Sequence, residues 1–311
     1  MNDSELRQRL ERADSNDDWV ATLAGYFDSH DIFFGHGTDN SAEEAFWLLR
    51  HQQGWRDELW NTPPDRSLID PLVELAARRV RERKPLAYLL GEAWFAGLRF
   101  KVDERVLVPR SPLAELIERR FAPWCALEPG DRVLDVGTGS GCLAIAAAVH
   151  CPGTRVDATD LSGDALAVAA ENVAQHGLRE QVSLYRSDLF PDSIPATNAR
   201  YRVIMSNPPY VPAAEFASLP PEYAHEPELA LRGDAAGLGL TLSLLDGAAD
   251  RLAPDGILIV EVGDGAEALM QAQPRLPFVW IEFGRGGHGV FVLEAGDLRG
   301  SEAADRAGRK R

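Results

Sequence analysis

A short apolar strand that runs straight into three closely spaced glycines constrains this chain more than any other feature. Residues 132–148 read R-V-L-D-V-G-T-G-S-G-C-L-A-I-A-A-A, a buried strand, a turn and a helix of small residues. Gly137, Gly139 and Gly141 let the backbone pass close to a ligand at the carboxyl end of a strand, where open α/β sheets bind their ligands. The loop Gly137, Thr138, Gly139, Ser140, Gly141 is therefore a candidate cofactor-binding element. Its G-x-G-x-G spacing departs from the G-x-x-G ending of a dinucleotide fingerprint and disfavours a dehydrogenase, and the absence of a following Lys-Ser/Thr excludes a Walker loop.

The next strand, R-V-D-A-T-D, ends at Asp160, where a carboxylate can accept hydrogen bonds from ribose hydroxyls. The alternative is a cap for the helix that follows, a role Ser162 could take instead. A third strand ends in R-S-D-L-F, offering Asp188 to an adenine amino group and Leu189 as an apolar wall. Asp188 could equally be a turn residue before Pro191. Asp135 either orients the glycine loop or approaches the methionine part of a cofactor.

The organisation around this core is legible in the apolar spacing. From Asp18 to about Leu90 apolar residues recur at helical intervals, which predicts an all-helical domain over residues 1–91. Within it a helix is expected from Ser67 to Lys84, with Asp70 as cap, Pro71 at the first position and Pro85 as the stop. The basic run Arg78 to Lys84 then either sits against the negative end of the helix dipole or forms a partner-binding patch. His36 falls in a helix connection in which Thr38 or Asn40 caps the next helix. Residues 92–110 read as a β-hairpin linker whose strands are A-W-F-A-G-L-R-F-K-V and E-R-V-L-V-P.

Residues 111–297 form the α/β domain. Its candidate strands are Arg132 to Val136, Arg155 to Thr159, Val182 to Tyr185, Arg202 to Met205, Ile257 to Val262, Phe278 to Phe283 and Gly289 to Leu293. Strands alternating with helices imply a mainly parallel, doubly wound sheet. The last two leave no room for a crossover helix and must pair antiparallel. Residues 298–311 are small and polar and read as a flexible tail.

The fourth of these strands runs into Asn207-Pro208-Pro209-Tyr210. Two prolines remove two backbone donors and bias the residues before them toward extended geometry, so carbonyls there stay free. The Asn207 side-chain oxygen and the Pro208 carbonyl can both accept from one planar NH₂ group, with Tyr210 stacking on or enclosing it. Such nitrogens are poor nucleophiles because their lone pair is delocalised. Catalysis then rests on holding the nitrogen in line with an electrophile and on acceptors that favour the positive charge developing on it.

The glycine loop with Asp160 resembles the nucleotide half of class I S-adenosylmethionine-dependent methyltransferases. The resemblance spans roughly Ser111 to Glu294 and implies a Rossmann-like, seven-stranded sheet with an antiparallel last strand. The Asn-Pro-Pro-Tyr motif is similar to that of methyltransferases acting on amide or exocyclic amino nitrogens, which include adenine-specific DNA enzymes and glutamine-specific protein enzymes. Four features favour the protein-(glutamine-N5) methyltransferase family. They are the helical domain, the hairpin ending in L-V-P-R, the E-P-E-L-A-L segment after the catalytic loop and the L-I-V-E-V-G strand.

Together the likeness runs from about Trp19 to Leu293. It implies S-adenosylmethionine as cofactor, touched by Gly137 to Gly141, Asp160, Leu189 and Asn207, with Asn207 to Tyr210 holding the glutamine. Glu261 falls where a carboxylate could support the site or be an ordinary strand-end acid. P-R-S-P-L-A-E at Pro109 to Glu115 looks like the branch that acts on large ribosomal subunit protein three (uL3). The release-factor branch is expected to carry P-R-P-E-T-E. F-G-H-G-T-D-N at Phe34 to Asn40 points the same way.

Composition narrows the alternatives. A net charge of −16 opposes counterion release on nucleic acid and argues against an adenine-N6 enzyme. Residues 1–49 hold 11 acidic and 3 basic side chains, which suits steering of a basic protein and equally aids solubility. Seven histidines make no HxH or HExxH pattern, so no catalytic metal is expected, and no G-x-S-x-G nucleophile occurs. Three cysteines without CxxC spacing suit a reduced compartment, the cytosol, and no membrane segment is expected. A catalytically silent partner-binding protein is the remaining alternative from another class.

Overall fold

A computed structural model of the chain describes residues 1–191 and 200–300. Two compact units result, one made of Met1–Ala93 with Val102–Glu104 and Pro220–His225, the other of the remaining residues. Among the described residues no helix is long and apolar enough to cross a membrane.

The first unit is helical: α1 Asp3–Arg12, α2 Asn16–Asp28, α3 Ser41–Gln52, α4 Ile69–Glu82 and α5 Leu86–Leu90. The starts of α1, α2 and α3 are capped by short polar side chains. Asn2 and Glu5 form a reciprocal capping box on α1, Ser15 caps α2 and Asn40 caps α3. Leu6, Leu10, Trp19, Leu23, Phe27 and Leu48 are buried at its centre, and the Trp19 indole donates to the Leu10 carbonyl at 3.0 Å.

Two expectations for α4 need correction. Asp70 lies inside its first turn and is not the cap. Asp65 instead caps a preceding 3₁₀ turn at Arg66–Leu68, accepting from the Ser67 amide. Pro71 is tolerated because amides of the first turn have no intrahelical partner. The helix ends at Glu82, before Lys84, with Arg83 left-handed at φ 54°. Nor is the basic run simply a dipole complement. Arg79 is buried and donates to Glu44, to Glu222 at 3.3 Å and to the Phe33 carbonyl at 2.6 Å, while Arg83 pairs with Glu222 at 2.8 Å.

The second unit opens with a hairpin, β1 Glu92–Phe95 and β2 Leu98–Lys101, β1 beginning in the last residues of the first unit. Ala96 (φ 49°) and Gly97 (φ 75°) make the tight two-residue turn, and their left-handed backbone conformation matches the right-handed twist of the paired strands. Both strands therefore lie within residues 92–101, and E-R-V-L-V-P is not the second strand. The amide of Val108 is bonded to the Glu226 carboxylate at 3.0 Å instead of to a strand.

Behind α6 Leu113–Glu118, strands β3 Arg132–Val136, β4 Arg155–Asp160, β5 Val182–Arg186, β6 Tyr201–Ser206, β7 Leu252–Glu261, β8 Val279–Trp280 and β9 Val290–Glu294 form one sheet in the order β5-β4-β3-β6-β7-β9-β8. The first five are parallel. β9 lies antiparallel between β7 and β8, as the short connection requires. Helices α7 Cys142–His150, α8 Gly163–Gln175, α9 Ala213–Phe216, α10 Glu228–Leu231, α11 Gly239–Ala248 and α12 Ala266–Ala272 fill the connections. The chain leaves β3 first toward β4 and β5 and later returns beside it as β6, so the strand order reverses at β3/β6. Open α/β sheets form their ligand crevice at such a switch point.

The expected tail begins too early. Residues 295–300 are helical, and Leu298 is buried with Leu252 and Phe291 in the apolar core. The rest of the tail, residues 301–311, lies outside the described residues.

Asn172 on α8 ties this frame to the glycine loop. Fully buried, it accepts from the Lys101 amide at 2.7 Å and donates to the carbonyls of Lys101 at 3.0 Å and Ser140 at 2.9 Å. Asn172→Ala leaves these backbone groups unpaired and is expected to lower the unfolding free energy by about 2 kcal/mol or more. Denaturant titration reads this, and a loss under about 0.5 kcal/mol, the range of neutral surface changes, contradicts it.

Candidate active site

The carboxyl ends of β3, β4 and β6 meet side by side. Val136 pairs in register with Thr159 on one side and Ser206 on the other, and the Ser206 hydroxyl donates to the Val136 carbonyl at 2.7 Å. The glycine loop, Asp160 and the Asn-Pro-Pro-Tyr turn thus leave the sheet as neighbours.

The loop is shaped by its own backbone. Gly137, Gly139 and Gly141 all have positive φ (73°, 54° and 81°), a region that favours glycine. A Cβ at Gly141 would press on Ile145 and Ala169 at 3.2 and 3.3 Å, so this glycine also brings α7 close to α8. At Gly137 and Gly139 a Cβ would meet nothing within 4 Å, leaving open space beside the loop. The amides of Gly137 and Thr138 both donate to the Thr159 carbonyl, at 2.9 and 2.8 Å.

Asp135 is fully buried and accepts from the Thr138 hydroxyl at 2.6 Å and the Ala144 amide at 3.2 Å. Burial pushes its carboxyl up to about 7. It orients the glycine loop and is not among the residues lining the cavity.

Asp160 accepts from the Gly139 amide at 2.9 Å and the Ser162 amide at 2.8 Å, and burial raises its carboxyl above the usual range while those amides oppose the shift. The helix cap is Ser162, which accepts from Ala165. Asp188 and Leu189 both line the cavity with the loop and Asp160. Leu189 sits at φ 67°, its carbonyl taking the Thr159 hydroxyl at 2.6 Å.

Of the Asn-Pro-Pro-Tyr motif, Asn207 and Pro209 line the same cavity. Pro208 is buried. Tyr210 directs its hydroxyl to Glu261 at 2.9 Å, and the same carboxylate accepts from the Ser111 hydroxyl at 2.5 Å. Burial raises the Glu261 carboxyl, against the pull of these two donors and of Arg110 and His288. Glycines crowd the turn from behind. A Cβ at Gly237 would lie 2.1 Å from the Tyr210 carbonyl oxygen, one at Gly233 3.0 Å from that of Pro209, and one at Gly263 2.7 Å from the Tyr210 ring. The motif is fixed in place from three sides.

The remaining wall comes from segments in which no site residue was singled out. Arg105 to Leu107 and Pro109 to Ser111 line one part, and Pro227, Leu229 and Ala230 another. The buried Glu226 carboxylate joins them, taking the Val108 amide at 3.0 Å and both terminal nitrogens of Arg110 at 2.6 and 2.7 Å. The only trace of this in the sequence is the E-P-E-L-A-L segment itself. Chemically the cavity combines a backbone cradle open to a ligand, a carboxylate beside it and an Asn-Pro-Pro turn, with a largely apolar opposite wall.

Known proteins match this arrangement. The methyltransferase small domain model matches residues 121–218, from before β3 through the catalytic loop. The ribosomal protein uL3 glutamine methyltransferase of Xylella fastidiosa (strain Temecula1) is 44% identical over 292 residues, covering 90% of each chain. That of Xanthomonas campestris pv. campestris is 45% identical over 277 residues, covering 88% of each. The crystal structure of the hMettl16 catalytic domain in complex with MAT2A 3'UTR hairpin 1 shares the fold at 18% identity and a TM-score of 0.50, over 72% of this chain and 80% of that one. At this identity and coverage along nearly its whole length, the chain belongs to the family of ribosomal protein uL3 glutamine methyltransferases.

Proposed function

We propose that this chain transfers a methyl group from S-adenosylmethionine to the side-chain amide nitrogen of a glutamine in ribosomal protein uL3. The observation that carries the chemistry is the placement of the Asn207–Pro209 turn and the glycine loop on one cavity, through the register Val136 to Ser206. The naming of the relatives at 44 and 45% identity supports the substrate.

The residues present fit the cofactor. The space beside Gly137 and Gly139 leaves room for its approach, and Asp160, which uses one lone pair of each oxygen on backbone amides, keeps others for ribose hydroxyls. Asp188 and Leu189 are assigned to the adenine, and Thr138 and Ser140 complete the loop. Bound there, the cofactor supplies an electrophilic methyl on a sulfonium. The chain's own part is to hold the amide. Asn207 Oδ1 and the Pro208 carbonyl accept from the two N–H bonds, and Tyr210 encloses the group. These acceptors favour the positive charge that grows on nitrogen, and the amide proton is lost afterwards without a strong base.

We assign the helical unit to recognition of the protein substrate. Its first 49 residues, with 11 acids against 3 bases, suit a partner whose positive charge serves to bind ribosomal RNA. A ribosomal protein as substrate supports a cytoplasmic enzyme.

Three measurements test this reading. Asp160→Ala is expected to weaken S-adenosylmethionine binding strongly in calorimetry, and unaltered affinity refutes the ribose assignment. Asn207→Ala is expected to lose methyl transfer by about 10²-fold or more while keeping its fold, because a preorganised acceptor at the reacting group is worth that much. Turnover within about twofold of the parent, far from that factor, sinks the clamp. Incubation of the enzyme and labelled cofactor with purified uL3 and, separately, with a peptide-release factor decides the substrate. Label on uL3 is expected, and label on the release factor alone overturns the substrate while leaving the chemistry.

A further inference from the structure

Glu261 is a buried carboxylate at the edge of the site, and the methyl-transfer scheme above does not use it. It ends β7 one residue beyond Val260, which pairs in register with Ser206, so it stands beside the point where the chain enters the Asn-Pro-Pro-Tyr turn. Glu261 is 6% exposed, and its carboxylate accepts from two hydroxyls that come from separate parts of the chain. One is Tyr210, the last residue of the motif, at 2.9 Å, and the other is Ser111, at 2.5 Å, on the Pro109–Ser111 segment that lines the cavity. Ser111 Oγ in turn accepts from the Leu113 amide at 3.2 Å, which fixes its orientation at the start of α6.

We propose that Glu261 is a positioning residue for methyl transfer, joining Ser111 and Tyr210 into one hydrogen-bonded chain that sets the geometry of the catalytic turn. The proposal rests on the functional reading above and deepens it.

Three physical points carry it. An ionised carboxylate is an acceptor at both oxygens, and here each takes one hydroxyl, Oε1 that of Tyr210 and Oε2 that of Ser111. A glutamine offers one oxygen and an NH₂ that must find its own acceptor. Hydroxyl-to-carboxylate bonds are also about twice as strong as neutral ones, which repays the burial of the charge only if both donors are present. Finally, the Tyr210 ring lies against Gly263, where a Cβ would approach to 2.7 Å, so ring contact and hydroxyl bond together leave Tyr210 a single position. Because Tyr210 follows Asn207 by three residues, two of them proline, its placement passes directly to the amide acceptors through a stiff stretch of backbone. A merely structural strand-end acid would need neither the tyrosine nor the serine.

The test compares Glu261→Gln, Tyr210→Phe and their combination. Each single variant is expected to lower kcat by about 10-fold or more, as loss of a contact that orients the reacting group does, with S-adenosylmethionine affinity by calorimetry within about twofold, since neither residue faces the glycine loop. The double variant is expected to be no worse than the poorer single one, because both remove the same link. Glu261→Asp, which keeps the charge on a shorter stem, is expected to recover part of kcat.

Singles that keep kcat within about twofold, or effects that multiply in the double variant, overturn the proposal. Hydrogen exchange of the amides of Tyr210 and Val211 gives a readout independent of the protein substrate. Faster exchange in Glu261→Gln is expected, and unchanged exchange counts against the link. Failure of the unmutated enzyme to methylate uL3 refutes the functional reading, and the exchange result then still decides the role of Glu261.

Discussion

The Thr159 carbonyl, at the end of β4, accepts the amides of both Gly137 and Thr138. That pair of hydrogen bonds is the point on which the site hangs. It turns the chain out of β3 and back toward α7 within five residues, a path open to it only because three of the five are glycines at positive φ. Asp135 below the loop and Asp160 beside it complete the fixation, each bonded to loop or helix amides. The cost is visible in the buried carboxyl of Asp135, pushed up to about 7. With the loop so held, the neighbouring ends of β4 and β6 inherit fixed places around one cavity.

The Asn-Pro-Pro-Tyr turn is held by a different device. Prolines strip the turn of donors, so its backbone cannot be anchored as the glycine loop is. Anchorage comes from what surrounds it. Glycines at 233, 237 and 263 allow other backbone to press on Pro209 and Tyr210, the amide of Val211 donates to the Leu231 carbonyl at 3.1 Å, and Glu261 takes the Tyr210 hydroxyl. A rigid turn with free acceptors is what recognition of a planar NH₂ requires, because a clamp that must reorganise around a weak nucleophile loses much of its effect.

What was legible in the sequence was what depends on neighbouring residues. β3 runs from Arg132 to Val136 as read, since an apolar run bounded by glycine has one interpretation. The antiparallel β9 followed from a connection too short for a crossover. The hairpin was misplaced because A-W-F-A-G-L-R-F-K-V reads as one strand unless Ala96 adopts a left-handed conformation, which alanine rarely does. In the sequence Asp70 before Pro71 reads as a cap, but Asp65 caps a 3₁₀ turn upstream that no apolar period reveals. Arg79 looked like one of several surface cations, whereas Glu44 and Glu222, 35 and 143 residues away, draw it inside. Glu226 was invisible as a wall-building residue for the same reason, its partner Arg110 lying 116 residues earlier. Pairing at such separations leaves no local pattern, and of these residues Arg110, held by Glu226, is one that lines the cavity.

The account stands or falls on which atom receives the methyl group. Peptide mass spectrometry with fragmentation, on uL3 incubated with the enzyme and S-adenosylmethionine, locates it. The expected result is a gain of one CH₂ mass on a single glutamine, carried by the side-chain amide so that acid hydrolysis releases methylamine. A methyl group found on a lysine, an arginine, a carboxylate or the chain terminus would contradict it, because the proposed role of the Asn207–Tyr210 turn is to hold the neutral, planar amide NH₂ of a glutamine.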